Sequence, residues 1–119
     1  MDRSQIESDI EAKGLTAPRV TSADLEAAIA SEHYFIASDA IQHDQTVHVH
    51  KDGWHLGTTQ RLTFCVLQLR NGFTVTGESA CVSPQNFDAE IGRKIARQNA
   101  IEKLWPLLGY ALLERLDAR

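Results

Sequence analysis

The chain has 119 residues and a mass of 13.2 kDa, enough for one domain spanning 1–119. With 43% hydrophobic and 24% charged residues, it is neither a disordered chain, a collagen-like repeat nor a disulfide scaffold. Twelve basic residues against sixteen acidic ones give a net charge of −4, which argues against a DNA or RNA coat protein.

No run approaches the roughly 18 apolar residues of a membrane span. Met1–Gln5 is polar and lacks the apolar stretch of a secretory signal, so a cytoplasmic protein without membrane contact is expected. Charge is uneven: residues 1–60 carry four basic and ten acidic residues, whereas 61–119 carry eight basic and six acidic ones. An anionic small molecule would therefore favour the second half. A chain this short buries only about two thirds of its unfolded surface and gains from oligomerisation.

Ile6 and Ile10, four apart and followed by Gly14, predict a short amphipathic helix over 4–13 with a glycine cap. Thr16-Ala17-Pro18 reads as a linker. Thr21 with Asp24 forms a weak capping box, and Val20 with Leu25 a hydrophobic staple. The helix they open is expected to run to about Glu32 or Tyr34.

Residues 37–60 suit either a small hairpin or a long ordered loop. Thr46–His50 alternates, and Lys51-Asp52-Gly53 is a turn signal before Trp54. His48 and His50 would share a face of a strand, but no convergent third ligand is visible and no metal is expected.

Asn71-Gly72 predicts a two-residue type I′ hairpin turn between arms 61–70 and 73–82. Paired positions would then sum to 143, with Cys65 and Cys81 on opposite faces and unable to bond. Both faces carry apolar side chains. One should meet the domain's own helices, and the other a second subunit.

Ser83-Pro84 or Asn86 is expected to start a helix, with Phe87, Ile91, Ile95, Ile101 and Trp105 as its apolar stripe. Pro106 should kink it or separate it from a last helix over 107–116. The fold class is therefore α+β: N-terminal helices, an antiparallel sheet centred on the Asn-Gly hairpin, and two C-terminal helices.

No nucleophile elbow, Walker loop, dinucleotide fingerprint or zincin motif is present, so neither catalysis nor a cofactor is expected. The distinctive constellation is Asn86, Glu90, Arg93 and Arg97, which would stack on one helical stripe. Two arginines four apart repel, and Glu90 with solvent could offset them. Alternatively, two guanidinium forks suit a phosphate or pyrophosphate. Phe73 would offer an aromatic plane for a base. Because the arginines repel, Arg97→Glu is expected to leave folding nearly unchanged.

The runs Leu62–Val82, Ser83–Arg97, Glu102–Leu107 and Leu25–Tyr34 resemble a family of small bacteriophage proteins. That family includes the first class of Thoeris anti-defence proteins. Its members are sponges that hold cyclic ADP-ribose isomers, and some also hold cyclic di- or trinucleotides made by CBASS-type enzymes. The resemblance implies a homo-oligomer, a hexamer, with ligand sites between subunits, working in the cytoplasm of the infected host. It also implies a site of one aromatic residue, one asparagine and two arginines four apart, which falls on Phe73, Asn86, Arg93 and Arg97. A protein-interaction module with no nucleotide ligand is the alternative.

Overall fold

The computed structural model describes residues 3–50, 52 and 55–118. The expected turn at Lys51 and Gly53, and Trp54, lie outside them.

Helix α1 (Arg3–Ala12) is closed by Gly14 at φ +67°. Leu15 N–H donates to Ile10 C=O and Gly14 N–H to Glu11 C=O, the Schellman pattern that a left-handed glycine permits. Helix α2 (Ser22–Ala28) opens with the expected reciprocal capping box of Thr21 and Asp24. It does not continue to Glu32. Strand β1 (Ile29–Ile36) follows directly and pairs antiparallel with β2 (Leu62–Leu69). Local propensity permits helix through Ala28-Ile29-Ala30, but the β-branched and aromatic run ending in Tyr34-Phe35-Ile36 fits a pleated surface, and pairing with β2 decides the matter.

Between these strands lie the short helix α3 (Ala37–Ile41) and a 3₁₀ turn (Gly57–Arg61). No strand lies among the described residues of 42–56, which form a loop rather than a hairpin.

Strand β3 (Thr74–Ala80) pairs antiparallel with β2, giving sheet order β1-β2-β3. The two-residue type I′ turn is not what joins them. Leu69 N–H donates to Phe73 C=O, closing a three-residue loop, and Gly72 alone has positive φ (+91°). Type I′ needs positive φ at both central residues. Here Asn71 keeps negative φ and its side chain instead accepts from Phe73 N–H at 3.0 Å, while Gly72 takes the bulge position.

The extra loop residue shifts the register by one: Thr63 faces Ser79, Cys65 faces Gly77 and Leu67 faces Val75. Cys65 and Cys81 therefore share a face instead of opposing each other. They are still both free thiols, because Cys81 lies four residues beyond Gly77, about 13 Å along the strand.

Helix α4 (Ala89–Asp117) is one helix of 29 residues, not two. Pro106 lies within it, on the exposed side. It removes only the N–H that would bond Glu102 C=O, and Glu102 is itself exposed, so water can satisfy that carbonyl. The helix starts later than expected: Pro84–Asn86 is a separate 3₁₀ turn, and Asp88 caps α4 by accepting from Ile91 N–H at 2.9 Å.

Helix α4 lies across β3 and β2 on one face of the sheet. Its buried line is Gly92, Ala96, Ala100 and Leu104; Ile91 and Ile95, expected in the stripe, are exposed. Small residues are required there because the backbones nearly touch. A Cβ on Gly77 would lie 2.2 Å from Ala96 O and 2.4 Å from Ala100 N. The core consists of this line with Leu25, Ile29, Cys65, Leu67, Leu69 and Val75. The opposite face of the sheet carries the stacked rings of Phe35 and Phe64, 5.4 Å apart, and no long helix.

Candidate functional site

The four expected site residues do not converge within one chain. Phe73 is 53% exposed at the hairpin loop. Asn86 sits in the 3₁₀ turn before α4, off the helical stripe it was expected to share, and lines a cleft of about 310 Å³ with Arg61, Cys81 and Asp88. Arg93 lines a separate hollow of about 180 Å³ with Thr63. Thr63 pairs with Ser79, six residues along β3 from Phe73, which puts Phe73 about 20 Å from the Arg93 end of the sheet.

The two arginines have different surroundings. Arg97, with its side chain 29% exposed, is held by two carboxylates: Nε donates to Glu32 at 2.8 Å, and Nη2 donates to both oxygens of Glu26 at 2.9 and 2.8 Å. Burial works against its charge, but the hydrogen bonds to Glu32 and Glu26 outweigh it and raise the pKa further. Glu90, expected to offset the pair, instead meets Lys94 at 3.3 Å. Replacing Arg97 with Glu would therefore not relieve a repulsion; it would set a third carboxylate against two.

Arg93 is exposed and makes no ion pair among the described residues. The hollow beside it is lined by Tyr34, Phe35, Ile36, Asp39 and Thr63 as well as by Ala89 at the start of α4. Thr63 is 1% exposed, and its hydroxyl has no hydrogen-bond partner among the described residues. Burial, then the neighbouring Cys65 and Glu32, push the Tyr34 phenol up to about 12. Burial likewise pushes the Cys65 thiol up.

Phe35, Asp39 and Thr63 were not singled out from the sequence. Phe35 and Thr63 could have been found only by placing β1 opposite β2, which brings Phe35 to Phe64 and Ile36 to Thr63. No helix among the described residues is long and apolar enough to cross a membrane.

A three-stranded antiparallel sheet backed by one long helix defines a small α+β fold, with an arginine at the helix start that makes no ion pair among the described residues. The model of the phage protein (N4 Gp49/phage Sf6 gene 66) family matches residues 20–116, and the chain belongs to that family. No curated protein and no solved structure matches it.

Proposed function

We propose that this phage protein is a sponge that binds cyclic ADP-ribose isomers, and also cyclic di- or trinucleotides, to silence Thoeris and CBASS signalling in the host cytoplasm. The observation that supports it best is Arg93: an exposed guanidinium with no carboxylate partner among the described residues, beside a hollow lined in part by Tyr34 and Phe35. Phosphate oxygens would satisfy both the charge and the fork geometry. Sequestration requires only tight binding and excess protein, so no catalytic group is needed.

Phe73 would reach Arg93 only from another copy, which fits a site between subunits of a homo-oligomer, a hexamer on the family resemblance. Arg97 then acts by fixing Glu26 and Glu32 rather than by touching ligand. The alternative, a protein-interaction module, draws on the exposed Leu107, Tyr110, Leu113 and Leu116 of α4.

The test is to mix the protein with a cyclic ADP-ribose isomer, remove free ligand, and heat the complex. Intact nucleotide released from the denatured protein is the expected result. An altered nucleotide would make it an enzyme, and no depletion would favour the interaction module.

A further inference from the structure

Strand β3 is the last strand of the sheet, and its outer edge is open. Leu69 N–H donates to Phe73 C=O and Cys81 N–H to Arg61 C=O. The residues that alternate between these two bonds, Val75, Gly77 and Ser79, therefore turn their backbone groups inward to β2. Thr74, Thr76, Glu78 and Ala80 turn theirs outward, and all four are exposed. Asn99 Nδ2 donates to Glu78 C=O at 2.8 Å, which marks the direction and covers that one carbonyl. Thr74 and Thr76 have no backbone partner on this side among the described residues. Sheets commonly blunt such an edge with lysine, proline, a bulge or a covering element. The run Thr74-Val75-Thr76 carries none of these and favours strand pairing.

The helix above adds a second observation. Ile91, Ile95, Asn99, Lys103 and Leu107 follow one another four apart, in the row next to the buried Gly92, Ala96, Ala100 and Leu104. The bond from Asn99 sets this row on the β3 side, and Ile91 and Ile95 share a cleft with Ala80, Cys81 and Val82 at the end of that strand. Ile91 is 55% and Ile95 43% exposed, although each adjoins a core position. Lys103, the one charge in the row, has a stem long enough to carry its ammonium out to water. Arg97 lies on the opposite flank of the helix, toward Glu26 and Glu32.

An open strand edge beside an uncovered apolar row fits another open edge that carries its own helix on the same face, and this chain supplies one. We propose that a second copy of this chain pairs its β3 antiparallel with this β3 about a two-fold axis at Val75, joining the two sheets into one. Thr74 of each copy then faces Thr76 of the other, and each facing pair exchanges two N–H···O=C bonds. The threonine side chains pair on the open face of the sheet. On the other face the two α4 rows come together. The pairing stops short of Glu78, whose carbonyl Asn99 already holds. A two-fold contact of this kind is self-complementary, so one strand satisfies both copies. It leaves the flank of α4 that carries Arg93 and Arg97 uncovered. The proposal deepens the homo-oligomer of the reading above by naming one of its interfaces, and it uses none of the ligand chemistry.

Light scattering and amide hydrogen exchange on the full chain test it. Thr76→Pro deletes the outward N–H, which a single copy leaves unused, and proline suits an edge strand on that side. Its circular dichroism should match wild type while its scattering mass falls by about twofold or more. Ile95→Glu, at an exposed position, should lower the mass likewise. In wild type at micromolar concentration the Thr74 and Thr76 amides should exchange about tenfold or more slowly than in Ile95→Glu, because only pairing between copies protects them. If both variants keep the wild-type mass, or if these two amides exchange freely in an oligomeric wild type, the interface lies elsewhere: the pairing is overturned and the homo-oligomer stands. A monomeric wild type overturns both. Should Thr76→Pro fail to fold, Ile95→Glu and the wild-type exchange rates decide. Nucleotide depletion tests the sponge reading separately.

Discussion

Arg93 and Arg97 are one helical turn apart and of identical chemistry, yet their neighbours give them different tasks. Arg97→Glu faces Glu26 and Glu32 with a third negative charge and should lower stability by at least about 1 kcal/mol, read as a drop in the urea midpoint. Arg93→Glu removes an exposed, unpaired charge and should stay within about 0.5 kcal/mol of wild type. If Arg93 meets phosphate, the same change should weaken nucleotide binding about 30-fold or more by calorimetry. A loss of binding in a fully stable Arg93→Glu protein separates site from scaffold. Tyr34 provides a pH signature. Its phenol rises from the usual 10 to about 12 in the fold, chiefly through burial. The native state therefore holds this proton more tightly than the unfolded chain. The associated stability is intact below pH 10, begins to fall there, and is gone above 12. Urea midpoints measured across that range should decline more steeply for wild type than for Tyr34→Phe.

At the scale of elements, the contact between β3 and α4 is the least forgiving. Gly77→Ala drives a methyl into the main chain at Ala96 and Ala100, so α4 must move away from the sheet. A loss of about 2–3 kcal/mol is expected, measurable as a lower thermal midpoint. This close approach also explains what could and could not be read from the sequence. The capping box at Thr21, the glycine stop at Gly14 and the antiparallel arms around Asn71-Gly72 were legible, because each rests on neighbours in the chain. The end of α2 was not, because β1 exists through pairing with β2, whose partners lie 27 to 40 residues further along the chain. The buried line of α4 was hidden for a related reason. Gly92, Ala96 and Ala100 look less like a core than Ile91 and Ile95 until the facing glycine is known. One residue of loop length moved the hairpin register, which composition around Asn-Gly could not fix. Of the site, the arginine spacing was visible. Glu26 and Glu32, which engage one arginine from 71 and 65 residues away, were not.

The whole molecule is long for its size. Its radius of gyration is 18.4 Å, against about 13.5 Å for a compact chain of this length, and it measures 57 × 34 × 21 Å. Helix α4, about 43 Å long, outruns the sheet and exposes Leu107, Tyr110, Leu113 and Leu116 along its end. Light scattering at micromolar concentration is expected to show an oligomer. A stable monomer would remove the intersubunit site, since Phe73 and Arg93 cannot meet in one copy. Helix α1 stands apart from this frame. It buries no residue, lies outside the stretch matched by the family, and is held in part by two side chains. Arg3 lies over the Trp105 ring at 4.1 Å, and Glu7 accepts from the hydroxyl and N–H of Ser22. Those Ser22 bonds hold the Glu7 carboxyl below its usual range. The clasp is therefore complete above the ordinary carboxylate pKa of 4.5 and is lost as acid protonates Glu7. With no buried residue of its own, helix α1 is expected to open more readily than the sheet. Its amide hydrogens should exchange with deuterium far sooner than those of β2, and sooner still after Glu7→Ala, leaving the β2 amides as slow as before.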